Sequence, residues 1–290
     1  MFVQQVMNGL TIGGVYALVA VGYTLVYGVL GMINFAHGSV YTLGAYFAFT
    51  GVVLLNLPLP LAFLFSLVCT AFVGVLVERT GYFPLRRATV ENQIICIYGL
   101  SIVLDNIIML VWGTVPKAFP SNVIPAHIQV SGIQVAPLQI LILGLAIVIM
   151  LLLYFLVYGT RTGLAMRAIA LNPEAANLMG INIDRIRLQT FALSAALAAS
   201  AGTMVGMYYK IISYNLGLNT VIKAFVVSIL GGIGNISGAV IGGLLLGQIE
   251  GLGAAYVSTG YKDAFAFIIM ILVLLLRPNG LLGVYTKEKI

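Results

Sequence analysis

The chain has 290 residues, of which 61% are hydrophobic and 8% are charged, and its formal net charge is +6. A soluble domain has about 25% charged residues, and a chain with so few charges could not cover a soluble surface. Composition therefore excludes a soluble globular protein and predicts a polytopic helical membrane protein.

Nine hydrophobic segments follow one another along the chain. They cover residues 5–30, 39–56, 58–77, 92–112, 137–158, 188–208, 220–233, 236–254 and 257–276. Because a membrane crossing needs about 20 residues, the segment 220–233 is short for a span. We predict an all-α transmembrane helical bundle of about eight helices, one or two of them broken at glycine-rich positions, in a single domain covering residues 1–290.

Four pairs of glycines have the G-x-x-x-G spacing that lets helix backbones approach closely in membranes. The pairs are Gly9/Gly13, Gly202/Gly206, Gly238/Gly242 and Gly243/Gly247. We expect these glycines to serve packing within the molecule.

Two breaks interrupt the hydrophobic pattern. The first, MINFAHGS, contains Asn34 and His37, and the second, GGIGNISG, contains Gly234 and Asn235. Unwound backbone at membrane depth survives only where it is buried or lines a cavity, and half-helix ends can contact a polar substrate. These four residues are therefore candidates for a translocation path. The alternative is that each break is a polar turn at the membrane interface, with its side chains satisfied by the backbone.

Basic residues indicate the orientation of the segments. Ten of the fourteen Lys and Arg lie in the predicted loops 78–91 and 159–187 and in the tail after residue 276, whereas the loops 113–136 and 209–219 have one lysine each. The positive-inside rule places the three basic regions in the cytoplasm and the N-terminus outside. The positive net charge thus reports topology, and we expect no nucleic-acid partner.

The basic region 159–187 contains every start and stop pattern of a short helix. These patterns are an N-cap, a proline at the first helical position, an acidic first-turn residue, four helix formers and a terminal glycine. The residues concerned are Asn172, Pro173, Glu174, Ala175, Ala176, Leu178, Met179 and Gly180. The predicted helix, Pro173–Met179, is about 10 Å long and cannot span a membrane. It either docks onto a partner or rests on lipid headgroups.

Asp105, Lys223 and Glu250 are charged residues well inside hydrophobic segments. An intramembrane charge is a functional hypothesis by default. The two acids fall towards the outer half of their segments, and Lys223 lies at a similar depth. We expect Lys223 to form a structural pair with one of the acids, and contact with a substrate amine is the alternative.

Several stretches carry a family resemblance over nearly the whole chain. They are NGLTIGGVYALVAVGYTLVYGVLGMINFAHGSVYTLGAY, ERTGYFPLRR, SILGGIGNISGAVIGGLLLG and YKDAFAFIIMILVLLLRPNGLLG. Together they resemble the branched-chain amino acid ABC permease family, and most of all its smaller, H-type subunit. The stretch EAANLMGIN, which follows RTGLAMRA, resembles the cytoplasmic coupling loop of ABC importer permeases.

The resemblance implies the permease subunit of an ATP-driven importer for branched-chain or other hydrophobic amino acids, in a bacterial-type inner membrane. The partners that it implies are a second, M-type permease subunit, two ABC ATPase subunits and an extracytoplasmic substrate-binding protein, with membrane lipid around the bundle. The coupling loop is then 159–187, and its short helix docks on an ATPase. The chain lacks the P-loop pattern G-x-x-x-x-G-K-[ST]. We therefore expect no catalytic residues, metal or cofactor in this chain, and ATP to be used by the partner subunits.

Three other functions remain open at this point. Very similar permeases serve urea or short amides, so the cargo is not fixed by the resemblance. A passive channel for a small neutral solute would also suit the broken helices. An ion-coupled transporter would want acids at the breaks, whereas Asp105 and Glu250 are distant from both breaks in sequence.

Overall fold

The structure is a computed structural model and describes residues 2–86, 88–120, 128–130 and 133–283. Its helices are α1 (Phe2–Leu30), α2 (His37–Val53), α3 (Leu59–Val77), α4 (Phe83–Leu85), α5 (Val90–Trp112), α6 (Pro137–Gly159), α7 (Arg161–Leu171), α8 (Pro173–Leu178), α9 (Ile183–Tyr209), α10 (Leu216–Gly231), α11 (Ile236–Tyr256) and α12 (Lys262–Leu276). A π-helical turn, Glu78–Tyr82, joins α3 to α4, and a 3₁₀ turn, Thr259–Tyr261, precedes α12.

Two small antiparallel ribbons complete the secondary structure of the described residues. Strand β1 (Lys117–Ala118) pairs with β4 (Ile211–Ile212), and β2 (Ile128–Val130) pairs with β3 (Ile133–Val135). The β1–β4 ribbon ties the end of α5 to the end of α9. The predicted all-α bundle is therefore confirmed, and each of the nine hydrophobic segments is largely helical.

Seven helices within the described ranges are long and apolar enough to cross a membrane. The other two hydrophobic segments form shorter helices, α2 with 17 residues and α10 with 16. The prediction of about eight helices with one or two broken ones is thus close, and the difference lies in these two short helices.

Helices α1 and α9 form the centre of the bundle, with 89% and 83% of their apolar windows buried. Helix α1 packs on α11, α9 and α10, and α9 packs on α2 and α3. By contrast, the apolar windows of α3, α5, α6 and α12 are 6–28% buried. A soluble protein would not leave such apolar faces uncovered, so these helices form the lipid-facing perimeter.

Glycines make the close approach between α1 and α11 possible. A Cβ atom at Gly9 would lie 3.1 Å from Gln248 Cα, and one at Gly13 would lie 3.0 Å from Leu244 Cα. Gly243 and Gly247 face α1 from the other side of the contact. The pair Gly9/Gly13 of α1 and the pair Gly243/Gly247 of α11 therefore pack against each other within the molecule, as expected from their spacing.

Helix α2 starts inside the bundle, not at its end. The His37 ring at its first turn lies 3.1 Å from the Val19 carbonyl oxygen. Val19 itself is roughly 16 Å from the end of α1, at about 1.5 Å per residue. The start of α10 meets the start of α2, because a Cβ atom at Gly38 would lie 2.6 Å from the Gly217 carbonyl oxygen. Helices α2 and α10 are thus short helices that begin inside the bundle.

Two sequence-based boundaries need correction. Residues 78–91 were expected to form a loop, but the helix continues through the π-helical turn to Leu85. The region 159–187 was expected to contain one short helix, but α7 also lies within it, with the Thr160 side chain accepting a hydrogen bond from the Gly163 N–H at 3.1 Å. In both places the charged residues indicated a loop, but packing against the bundle stabilises a helix.

Candidate translocation and coupling sites

The short helix predicted in the region 159–187 is present as α8 and ends one residue earlier than predicted. The Asn172 side-chain oxygen accepts a hydrogen bond from the Ala175 N–H at 3.0 Å, which is the N-cap bond. Met179 is the C-cap residue, and Gly180 follows with φ +83°. A left-handed backbone at this position favours glycine, so the local sequence determines both ends of α8.

Helix α8 presents an apolar surface that nothing in the described structure covers. Leu178 is 88% exposed and Met179 is 83% exposed. On the other side of the helix, Ala176 is buried and anchors α8 to the hydrophobic core. Glu174 and Pro173 are exposed near its start. An anchored helix that displays two large apolar side chains has the character of a docking element.

A concave surface of ≈ 650 Å³ lies next to α8. Pro173, Asn177, Gly180 and Asp184 are among its lining residues. Arg86, at the end of α4, faces Asp184 at 3.5 Å and links this surface to the first turn of α9. Because both side chains are about half exposed, this ion pair contributes little to stability.

Asn34 and His37 lie in the protein core. His37 is 1% exposed, with Nε2 3.1 Å from the Val19 carbonyl oxygen and Nδ1 3.4 Å from the Ser194 hydroxyl. Asn34 is buried, and its side-chain oxygen has no hydrogen-bond partner among the described residues. The His37 ring is thus satisfied by backbone, but at the middle of α1 and not at its end. The role of both residues in a translocation path stays a prediction.

Gly234 and Asn235 belong to a capped turn between α10 and α11. The Asn235 side-chain oxygen accepts from the Gly238 N–H at 3.0 Å, and its amide donates to the Leu282 carbonyl at 2.8 Å. Gly234 has φ +87° and packs against Gly28. The two breaks therefore meet α1 at different levels, and the structure does not bring the four predicted residues together. A place for Gly234 and Asn235 in the path likewise stays a prediction.

The intramembrane charges form a cluster around Lys223. Its ammonium nitrogen lies 2.8 Å from a Glu250 carboxylate oxygen and 2.8 Å from Asp263. The Tyr16 hydroxyl donates to the other Glu250 oxygen at 2.8 Å. Asp105 lies on α5 and takes part in no ion pair of the described residues. Of the two acids predicted as partners for Lys223, the structure places Glu250 beside it.

Sequence reasoning missed Asp263 and Glu78. Asp263 lies near the start of the last predicted hydrophobic segment, 257–276, next to Lys262, where a charged pair looks like the edge of the segment. Glu78 is fully buried in the π-helical turn, and neither carboxylate oxygen has a hydrogen-bond partner among the described residues. Its position at the end of the run VGVLVE was the available indication, but the following arginines made the whole region resemble a loop.

A cavity of ≈ 290 Å³ lies beside the Lys223 cluster. Val205, Tyr208 and Tyr209, at the end of α9, line it. Helix α9 has 27 residues, so its two ends are about 40 Å apart. The cavity and α8 are therefore at opposite ends of the bundle, one near each surface of the membrane.

A multi-pass helical bundle that has two short helices starting inside it, a polar cavity at one end and a short helix with exposed apolar side chains at the other is typical of a membrane permease. The sequence profile of the family described as "Branched-chain amino acid transport system / permease component" matches residues 5–274. The chain belongs to this family, and the resemblance seen in the sequence is confirmed.

Curated relatives match the chain from end to end. The chain is 42% identical to the high-affinity branched-chain amino acid transport system permease protein BraD of Pseudomonas aeruginosa, over 100% of this chain and 98% of the relative. It is 40% identical to the corresponding permease protein LivH of Escherichia coli K12, over the same shares of both chains.

The bundle also resembles a solved structure, PsaBC from Streptococcus pneumoniae in complex with Fab. The TM-score is 0.50 at 12% sequence identity, and the match covers 94% of this chain and 91% of the other. At this identity the likeness concerns the fold alone.

Proposed function

We propose that this chain is one transmembrane subunit of an ABC importer for branched-chain amino acids in a bacterial-type inner membrane. In this proposal it pairs with a second, M-type permease subunit. Two ABC ATPase subunits bind on the cytoplasmic side, and an extracytoplasmic binding protein delivers the cargo. The full-length similarity to BraD and LivH supports the choice of cargo.

The proposed coupling role rests on one observation, the exposed apolar surface of α8. Leu178 and Met179 are more than four-fifths exposed at the end of the bundle. The chain itself contains no G-x-x-x-x-G-K-[ST] pattern, so ATP must be bound by another subunit. An ATPase that covers Leu178 and Met179 would remove their apolar area from water and hold α8 at the same time.

Helices α8 and α9 together would carry the motion of the ATPase into the membrane. The Asn182 side chain caps α9 by accepting from the Arg185 N–H at 2.9 Å, so α9 begins just after α8 ends. Helix α9 then runs to the cavity. A displacement of α8 would move α9 as a rigid element, past Asn34 and His37 at the start of α2.

The test is uptake of labelled leucine, isoleucine, valine and urea into proteoliposomes that contain the reconstituted complex, with and without vanadate. We expect ATP-dependent, vanadate-sensitive uptake of the branched-chain amino acids. Uptake of urea alone would point to an amide permease. Flux that continues unchanged without ATP would make the protein a passive channel and would overturn the proposal.

A surface variant tests the role of α8 directly. Leu178→Asp places a charge on the docking surface, and we expect it to abolish co-purification of the ATPase subunits at unchanged membrane levels. The matched control is Leu54→Ser, because Leu54 is 65% exposed between α2 and α3, at the other end of the bundle. Retention of the ATPase by Leu178→Asp would contradict the coupling role.

A further inference from the structure

The cavity beside Lys223 combines two opposite charges with an apolar wall. Lys262 and Asp263 lie on one side of it, and its apolar lining includes Val15, Val205 and Leu216. We infer that this cavity is a binding site for the amino acid cargo within the permease itself, in which Lys262 holds the carboxylate and Asp263 the ammonium group. The inference rests on the proposed function and adds a specific site to it.

The charge balance of the cavity matches a zwitterion. Lys223, Glu250, Lys262 and Asp263 are the charged side chains in and directly behind its wall, and their formal charges cancel. A ligand with a net charge would upset this balance beside the fully buried Glu250, which is costly. An amino acid brings one positive and one negative group and preserves the balance.

Lys262 and Asp263 can each form a further ion pair with a ligand, whereas Lys223 is already paired with two acids. Lys223 already faces both acids at 2.8 Å. The Lys262 ammonium is 4.0 Å from Glu250 and 3.4 Å from the Tyr209 hydroxyl, which are long contacts. The Asp263 side chain is 61% exposed, and only its Oδ1 atom is engaged with Lys223. The two neighbouring residues thus offer opposite charges side by side, as the two groups on one α-carbon require.

Tyr41 supplies a second, independent indication of a ligand. It lines the cavity and is fully buried, yet its hydroxyl has no hydrogen-bond partner among the described residues. Buried hydroxyls are nearly always hydrogen-bonded. Leu216, at the start of α10, borders the same space, so the positive end of that helix dipole also faces the cavity. Both features favour a ligand carboxylate near Tyr41 and the start of α10.

The size of the cavity fits a single amino acid. Its volume of ≈ 290 Å³ corresponds to roughly ten waters at about 30 Å³ each, which is room for one leucine. Leu216 lines the cavity, and the next residue, Gly217, contacts Gly38 where α2 and α10 meet.

The experiment measures direct binding to the full-length chain, together with the subunits that co-purify with it, in lipid nanodiscs and without any binding protein. Saturation-transfer NMR reports contact of L-leucine methyl protons with the protein. Two analogues test the zwitterion requirement: 3-methylbutylamine, which lacks the carboxylate, and 4-methylpentanoate, which lacks the ammonium group. Urea is measured in parallel.

We expect leucine to bind with millimolar affinity and valine to displace it, and each analogue to bind at least about tenfold more weakly. Lys262→Met and Asp263→Asn should each weaken leucine binding by a similar factor, whereas Lys262→Arg should retain it. Lys210→Met is the matched control, because Lys210 is an exposed lysine in the loop after α9 and does not line the cavity.

Three results would overturn the inference. They are unchanged leucine affinity in Lys262→Met and Asp263→Asn, equal binding of a singly charged analogue, and absence of leucine binding in a complex that imports leucine with ATP. The last result leaves the proposed function intact. Absence of both leucine binding and ATP-dependent uptake overturns the proposed function together with this site.

Discussion

At the scale of single residues, Glu250 is held by two side chains that lie on other helices and are distant from it in the sequence. Tyr16 is more than 200 positions away and donates to one carboxylate oxygen, while Lys223 faces the other. The carboxylate is fully buried. Removing one partner of a buried ion pair leaves an uncompensated charge, which costs far more than the pair itself contributes.

We therefore predict that Glu250→Gln lowers the unfolding free energy by about 3 kcal/mol, the lower end of the range for buried pairs, because Lys223 keeps Asp263 as a partner. The measurement is thermal stability in detergent by fluorescence-detected size exclusion. The double variant Lys223→Met with Glu250→Gln should recover part of the loss. If the double variant is as unstable as the sum of the single variants, the pair is not coupled.

The sequence indicated that Lys223 would find an acid, because an unpaired charge inside an apolar segment is costly. It could not decide between Asp105 and Glu250, since that choice depends on which helices become neighbours. The hydrogen bond from Tyr16 to Glu250 could not be predicted from the sequence either. Tyrosine is common in membrane helices, and its hydroxyl acquires a role only through the packing of α1 against α11.

At the scale of secondary-structure elements, α8 was predictable because its capping residues lie within a few positions of each other. Asn172 and Gly180 act through the local backbone. The starts of α2 and α10 inside the bundle were not predictable in the same way. Those starts depend on contacts such as Gly38 with Gly217, which bring together residues far apart in the chain.

Gly180 gives a direct test of the local prediction. Its φ of +83° costs a β-branched residue roughly 1–2 kcal/mol, and no atom crowds the position within 4 Å. We expect Gly180→Val to insert at normal membrane levels but to weaken ATPase co-purification or uncouple hydrolysis, measured by pull-down and phosphate release. Gly180→Asn, which tolerates the left-handed conformation, is the matched control. Fully coupled uptake by Gly180→Val would contradict the prediction.

The contact between α2 and α9 provides a test at the same scale. A Cβ atom at Gly44 would lie 2.7 Å from Ala199 Cβ, so a larger side chain must push the two helices apart. We expect Gly44→Val to cost about 3 kcal/mol and to lower the thermal stability of the purified protein. Gly144→Val on α6 is the matched control, because nothing lies within 4 Å of that position. Equal stability of the two variants would contradict the packing.

At the scale of the whole molecule, the antiparallel order of the helices places α8 and the cavity at opposite ends. The positive-inside rule then assigns α8 to the cytoplasm. A cysteine at Asn177 or Arg86 should label from the cytoplasmic side, and one at Leu54 should label from the outside. Labelling of all three positions from one side would contradict the topology.

The labelling needs a background without reactive native thiols. Cys96 is exposed and Cys69 is partly exposed, so Cys69→Ser with Cys96→Ser is the starting protein. Ser121 would be the natural reporter for the loop 113–136, but it lies outside the described residues. Leu54, in the turn after α2, replaces it because its surroundings are described.

The packing of α1 on α11 also has a consequence for biogenesis. Helix α1 leaves the ribosome well before α11, because this main partner lies more than 200 residues downstream. At about 5–20 residues per second, the ribosome needs roughly 10–45 s to deliver α11. During that interval the glycine face of α1, with Gly9 and Gly13, lacks the partner that it contacts in the folded protein. The α1–α11 contact can therefore form only late in synthesis, after the helices between them have been made.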